Sequence, residues 1–528
     1  ITITITITIT ITIREHFGFR LKPLASQAPV RVAPRPSAPT PCTPVSMAMP
    51  TYDSQYINGE WVKTTNAGKF LEVIDSSTAT VCAKIPDGSA DDMSKAIAAA
   101  KAAFPAWSQT PLAERKAAMQ RILEKWQAKK PEAINWLQKE LGCTQKFAKR
   151  VQANLVDMHF GTAIGLIDQV KFEEKTSMGG IVVKEPIGVV GCITPWNYPL
   201  NQIAAKICPA MLVGCTVVLK PSEVTPINAY LLAEAIHEAG LPKGVFNMVN
   251  GTAMGVGETL SAHPDVDMIH FTGSTRAGKR ITEVAAQTLK VVRTELGGKS
   301  AALMLDDADL PKIMPDFIGQ LMNNSGQSCN ALSRMLVPKS RYEEAVSIAK
   351  QIAEGTTVGR PSDPKAAIGP LVSQTQWERV QGYMKKGIDE GARVVVGGPG
   401  KPSGLEDGYY VKPTIFADVN NKMTIAQEEI FGPVLSIIPY ESEKEGIDIA
   451  NDTIYGLNNA VGSKDPERAL RVARQLRSGT VMINSTAGPP DAPFGGYKQS
   501  GNAREWGKAG IEEYLVTKHL AGSPPSKL

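Results

Sequence analysis

The chain has no apolar run approaching the roughly 18–20 residues that a membrane-spanning helix needs, so no span is expected. It also lacks a large charge of either sign. The net charge is +5. Residues 1–50 hold five basic residues (Arg14, Arg20, Lys22, Arg31, Arg35) against one acid, Glu15, which leaves only +1 for the rest. That near-neutral body gives no electrostatic reason to bind nucleic acid or an anionic membrane. The seven cysteines are odd in number, scattered, and form no CxxC pair. This argues against a disulfide framework or a zinc site and for a reducing compartment. No internal repeat is evident.

Apolar residues make up 43% of the 528 and charged residues 21%, an ordinary balance for a globular protein with roughly two to four domains. Residues 1–13 alternate Ile and Thr throughout. They read as a translated simple repeat or as a sticky β-prone strand. Residues 16–52 carry no acid but many Pro, Ser, Ala and Arg, which resembles an organelle transit peptide; the alternative is a leader without function. Folded sequence is expected from about Tyr56, where "YINGEW" places a turn between strand-like runs. Residues 88–140 read as helix, opened by the capping residues of "SADDMSKAIAAAKAAF". From 181, "IVVKEP", "GVVGCIT" and "TVVLK" read as buried strands. Strand and helix patterns then alternate to "VVRTELGG", which predicts a doubly wound parallel sheet. The alternation resumes after 340 through "ARVVVGG" and "TVMINS" and predicts a second α/β domain.

Three stretches have residues suited to chemistry. In "NNSGQSCNALSR", Cys329 follows a helical segment in a small, polar loop; it is a nucleophile or a buried apolar filler. In "ELGGKS", Glu295 ends a strand before two glycines; it is a catalytic base or a solvated loop acid. In "ITPWNYPL", Asn197 follows a strand between Pro195 and Pro199; it is an oxyanion donor or a turn residue.

Together with "LKPSEVTP", "FTGSTRAG", "EEIFGPV" and "PFGGYKQSG", these stretches stand in the order and spacing of one family. From about residue 55 to 520 the chain resembles the aldehyde dehydrogenase superfamily. The resemblance implies an α/β fold of two doubly wound domains. An NAD-binding domain would comprise 51–167 and 187–297, and a catalytic domain 298–500. A β-hairpin arm at 168–186, pairing with 513–522, would build a homodimer or homotetramer. It implies oxidation of an aldehyde to a carboxylic acid through a thioester on Cys329, with Glu295 activating the deacylating water. Asn197 and the Cys329 N–H would form the oxyanion hole, and Lys206 and Glu505 a supporting pair. Glu295 favours a free acid over transfer to coenzyme A. For the cofactor, Lys220 and Glu223 match the adenosine-ribose site, Gly273 and Ser274 the pyrophosphate turn, and Glu429 and Phe431 the nicotinamide-ribose clamp, with Trp196 in the same wall. The usual GxGxxG is absent. Glu223 would repel a 2′-phosphate, so NAD is favoured and NADP remains possible.

Substrate choice falls on Tyr198, Ala205, Asn323 and Phe494, which match tunnel-lining positions. Ala205 and Asn323 replace residues that are often bulky aromatics in relatives, so a wider and more polar tunnel is expected, without a full aromatic box for a trimethylammonium group. Asp491 is a cation-attracting acid at the tunnel mouth or a plain surface acid. Ser526-Lys527-Leu528 is a peroxisomal address, in conflict with a plastid or mitochondrial leader. Two rival functions are a Cys-dependent hydrolase or acyltransferase without redox chemistry, and a non-catalytic structural homologue.

Overall fold

The computed structural model describes residues 49–522. The expectations for the leader and for the terminal tripeptide Ser526–Leu528 lie outside the described residues.

Two seven-stranded sheets carry the fold. The first runs in the order Val291–Glu295, Met268–Thr272, Val189–Ile193, Thr216–Lys220, Phe246–Met248, Ser54–Ile57, Glu60–Lys63. Its first five strands are parallel. Three of them, Val189–Ile193, Thr216–Lys220 and Met268–Thr272, are buried at every residue. Helices cover both faces, so the sequence reads as continuous apolar runs without alternation. The sheet is not purely parallel as expected. The hairpin Ser54–Lys63 joins its edge antiparallel. Asn58 and Gly59, both left-handed at φ 53° and 77°, form the two-residue turn that such a hairpin favours.

The second sheet orders Arg393–Val396, Thr414–Ala417, Val434–Tyr440, Arg334–Pro338, Ala301–Met304, Asn458–Gly462 and Thr480–Ile483. Only the Arg393–Val396 edge is antiparallel. The helical reading of 88–140 resolves into two helices. Ser89 and Asp92 cap the first, Ala90–Gln109, reciprocally. Pro111 separates it from Leu112–Trp136, which ends in a π-helical turn, Leu137–Leu141.

One strand assignment needs correction. Ile181–Pro186 has the β-branched composition of a buried strand, yet it belongs to neither large sheet. It sits in a third, antiparallel sheet between Leu515–Leu520 and Glu173–Lys175. A separate hairpin, Phe70–Asp75 with Thr80–Pro86, was not anticipated.

Candidate active site

The two sheets present their strand ends to one cleft. It is lined by Pro195, Trp196, Asn197, Thr272, Gly273, Ser274, Leu296, Gly297, Cys329, Gln376, Arg379, Glu429 and Phe431. Cys329 reaches it on a loop bent by left-handed residues, Asn324, Ser325 and Gly326 at φ 52°, 56° and 77°. Such strain persists only where surroundings over-determine it, and here they do. Ser325 Oγ donates to Gly369 O at 2.9 Å, and Gln327 Oε1 accepts from Val372 N at 2.9 Å. Asn197 Nδ2 donates one N–H to Gln327 O at 3.1 Å. Its own carbonyl accepts from Gln152 Nε2 at 3.0 Å and Asn324 Nδ2 at 2.8 Å. The amide is thus pinned two residues from Cys329 in sequence, with one N–H not used by Gln327.

The paired glycines of "ELGGKS" have a steric cause. A Cβ on Gly297 would lie 2.5 Å from Glu429 Oε2, and one on Gly298 would lie 2.4 Å from the Cys329 carbonyl oxygen. The backbone between Glu429 and Cys329 has no room for a side chain. Gly298 N–H donates to Glu429 Oε1 at 3.0 Å, which fixes that carboxylate on the cleft wall. Trp196 meets Phe431 edge-on at 5.4 Å.

Glu295 is 2% exposed, but it does not line the cleft, and neither carboxylate oxygen makes a well-formed hydrogen bond. Burial first, then the neighbouring Glu505 anion, hold its carboxyl well above the ordinary range. Burial would also raise Glu505, but Lys206 and His270 outweigh it and hold that carboxyl below the ordinary range. Lys206 Nζ donates to Glu505 Oε1 at 2.6 Å and to Thr272 Oγ1 at 2.7 Å, and Thr272 is itself on the cleft wall. The Cys329 thiol is pushed up by burial and by Glu429, Glu295 and Glu505. The thiol needs a proton acceptor.

The residues fit NAD. The helix Thr275–Ala285 begins at the cleft, capped by Ser274 Oγ, which accepts from Ala277 N at 3.3 Å. A helix start of this kind suits a pyrophosphate. A Cβ on Gly273 would meet the Phe271 ring at 2.4 Å, which keeps that turn bare. Beyond it lies a second cleft lined by Lys220, Met254, Phe271, Arg276 and Arg280. Lys220 Nζ pairs with Glu223 Oε2 at 2.6 Å.

The four tunnel positions do not share one cavity. Tyr198 bonds Ser328 Oγ at 2.7 Å and meets Phe147 edge-on at 6.1 Å. Asn323 is exposed and lines a separate outer cleft with Phe147, Arg150 and Met322. Ala205 opens instead on a cavity with His159 and Trp506, and Trp506 stacks on Phe494 at 4.9 Å. Asp491 is exposed. Sequence reasoning missed Trp506, His159, Gln376 and Arg379. Trp506 stands directly after Glu505 and was in view; Gln376 and Arg379 come from a helix, Gln374–Asp389, that carries none of the motifs.

The comparisons with known proteins agree with this arrangement. The sequence profile described as "Aldehyde dehydrogenase family" matches residues 61–520. A 3-succinoylsemialdehyde-pyridine dehydrogenase of Pseudomonas sp is 48% identical over 476 residues, covering 90% of this chain and 99% of that protein. A crystal structure of aldehyde dehydrogenase C from Pseudomonas syringae, a cysteine-to-alanine mutant with NAD+ and octanal, superposes with a TM-score of 0.88 at 44% identity, over 90% of this chain and 98% of that one. An aldehyde dehydrogenase of Mycobacterium tuberculosis with NAD+ gives a TM-score of 0.88 at 42% identity, over 91% and 100%. The chain belongs to the aldehyde dehydrogenase family. It is an oxidoreductase that oxidises an aldehyde with NAD+.

Proposed function

We propose that Cys329 attacks the aldehyde carbon and that the product leaves as the free carboxylic acid. The observation that carries this reading is the shared cleft of Cys329, Asn197 and Glu429, with the buried Glu295 carboxyl behind it. The Cys329 N–H and the remaining Asn197 N–H stabilise the tetrahedral oxyanion; loss of one such donor costs roughly 3–4 kcal/mol of barrier. NAD, when bound, would supply the hydride acceptor for the former aldehyde carbon. Glu429 and Phe431 hold its nicotinamide end, and Gly273, Ser274, Lys220 and Glu223 the remainder. Glu295 moves from its buried position to the thioester and deprotonates the attacking water, while Lys206 and Glu505 supply fixed charge behind it. Because burial and Glu505 raise the Glu295 carboxyl, its basic form accumulates only as pH rises, so deacylation speeds up with rising pH.

The sheet that includes 189–295 belongs to the NAD-binding domain, and the sheet from 301–483 to the catalytic domain. The third sheet is the arm of a homo-oligomer.

The test is a rapid-mixing measurement of NADH with an aldehyde panel. Glu295→Gln should give a burst equal to the number of sites and then slow turnover, and Cys329→Ala should give none. Full steady-state activity in Glu295→Gln would show that another group is the base.

A further inference from the structure

The buried network behind Glu295 extends past the Lys206–Glu505 pair. His270 lies mid-strand in Met268–Thr272, where its neighbours are apolar, and is 1% exposed. A histidine there is costly unless both nitrogens have work. Its Nδ1 lies 2.7 Å from the Tyr514 hydroxyl, and its Nε2 lies 3.3 Å from the same Glu505 Oε1 that Lys206 holds at 2.6 Å. Burial lowers the imidazole's affinity for a proton, with Glu505 opposing. Because Nε2 faces the Glu505 carboxylate, an acceptor only, the ring proton belongs on Nε2, and Nδ1 accepts from the Tyr514 O–H. The Nε2 contact is out of line for a well-formed hydrogen bond. Its effect on the carboxylate is therefore set by ring orientation, and the Tyr514 hydroxyl fixes that orientation.

We infer that His270 and Tyr514 are positioning residues for deacylation: Tyr514 sets the His270 ring, and His270 holds Glu505 on Lys206 as the fixed anion behind Glu295. This rests on the reading of Glu295 as the base. Tyr514 is also well anchored. Its carbonyl accepts from Ile187 N at 3.0 Å and from Cys215 Sγ at 3.5 Å, and the next residue opens the arm strand Leu515–Leu520.

Every charged or titratable group around Glu505 can be placed. Lys206, from the helix Pro199–Val213, is the cation in contact. Arg293 acts on His270 from the neighbouring strand, and His159, from the helix Leu155–Leu166, is kept neutral by burial, its proton affinity lowered to about 4. Glu295 and Glu513 are the other acids; Cys192, Cys329 and Tyr514 are all raised by burial and neutral. Among the described residues, His270 Nε2 and Lys206 Nζ are the nitrogens placed against Glu505 Oε1.

The experiment is NAD-independent hydrolysis of para-nitrophenyl acetate. The initial burst reports acylation of Cys329 and the steady rate reports deacylation, followed from about pH 5 to 9. Tyr514→Phe and His270→Phe should retain the burst. Their steady rate should fall roughly 10-fold, less than the ~100-fold that a 1 Å misplacement of reacting groups costs. The acid limb of the steady-rate profile, set by the Glu295 carboxyl, should move down by about half a pH unit or more, because a less well held Glu505 anion raises Glu295 less. His270→Gln, which keeps an N–H near the Nε2 position, should recover most of the loss. A wild-type rate and acid limb in Tyr514→Phe would overturn the inference, and so would loss of its burst, which would mean a structural role. If His270→Phe fails to fold, Tyr514→Phe decides alone. Glu295→Gln in the same assay separates the two readings: undiminished deacylation there would remove Glu295 as base, whatever His270 does.

Discussion

Glu223 sits where a single carboxylate can select between two cofactors. Its ion pair with Lys220 leaves it about one-third exposed, at 37%, while Lys220 is buried at 5%. Against a 2′-phosphate, each unit-charge pair at about 4 Å and an effective dielectric near 20 costs roughly 4 kcal/mol before relaxation, and less once solvent screens an exposed partner. Lys220 and Arg276, on the wall of the same cleft, offset part of it. The expected outcome is a preference for NAD without exclusion of NADP. Glu223→Ser should narrow the gap, mainly by improving NADP binding. The ratio of kcat/KM for the two cofactors in wild type and variant decides this; an unchanged ratio would mean that Glu223 does not face the 2′ position. At this scale the sequence was readable wherever a residue sits in a motif with a backbone demand. Gly297 and Gly298 mark the close approach of Glu429 and Cys329, and those residues were all in view. Asn323 was misplaced because its distance from Ala205 depends on how the Leu310–Met322 helix packs against the first domain, and no local pattern encodes that.

Helix ends show how elements far apart in sequence are joined. The helix Ile227–Glu238 has no cap of its own; its N-cap position is Pro226. Glu140, from the π-helical turn, supplies the missing acceptors. It takes the Ile227 N–H at 2.9 Å and the Asn228 N–H at 3.2 Å. Burial nevertheless pushes its carboxyl up to about 7, from the ordinary 4.5 of a solvated glutamate, with those N–H groups opposing. A folded-state value above the unfolded one means that the ionised form opposes folding. This stability is present at low pH and is lost as pH rises from about 4.5 through about 7, to a total of roughly 3 kcal/mol. Glu140→Gln should therefore flatten the fall in thermal stability between about pH 5 and 8 while lowering stability at acid pH, where one good acceptor is lost. An unchanged slope in denaturant melts would assign that pH dependence elsewhere. Elements were legible where composition and pattern agree, as in Val189–Ile193. Ile181–Pro186 has the same composition, which alone reads as a buried sheet strand; the family resemblance set 168–186 apart, and the strand pairs with Leu515–Leu520 in the third sheet.

For the whole molecule, the arm is the exposed feature. Leu515–Leu520 is an edge strand with five of its six residues exposed, Val516 at 41% and Leu520 at 44% among them. An unpaired apolar edge invites another chain. Sedimentation at micromolar concentration should find a dimer or tetramer, and Val516→Lys with Leu520→Lys should shift it towards monomer. A wild type that is monomeric at that concentration would remove the arm's assigned role.

The edge hairpin of the first sheet also sets a schedule. Ser54–Ile57 pairs on one side with its own hairpin partner, but on the other with Phe246–Met248, and Gln55 exchanges two hydrogen bonds with Asn250 across a separation of 195 residues. A ribosome adding about 5–20 residues per second needs roughly 10–40 s to supply that partner. For that interval the nascent chain holds out Tyr56 and Ile57, both almost fully buried in the finished protein, without the strand Phe246–Met248 that flanks them. The sheet cannot close from its beginning. The first strand among the described residues is among the last to be seated, and the nascent chain must be kept from neighbours until then.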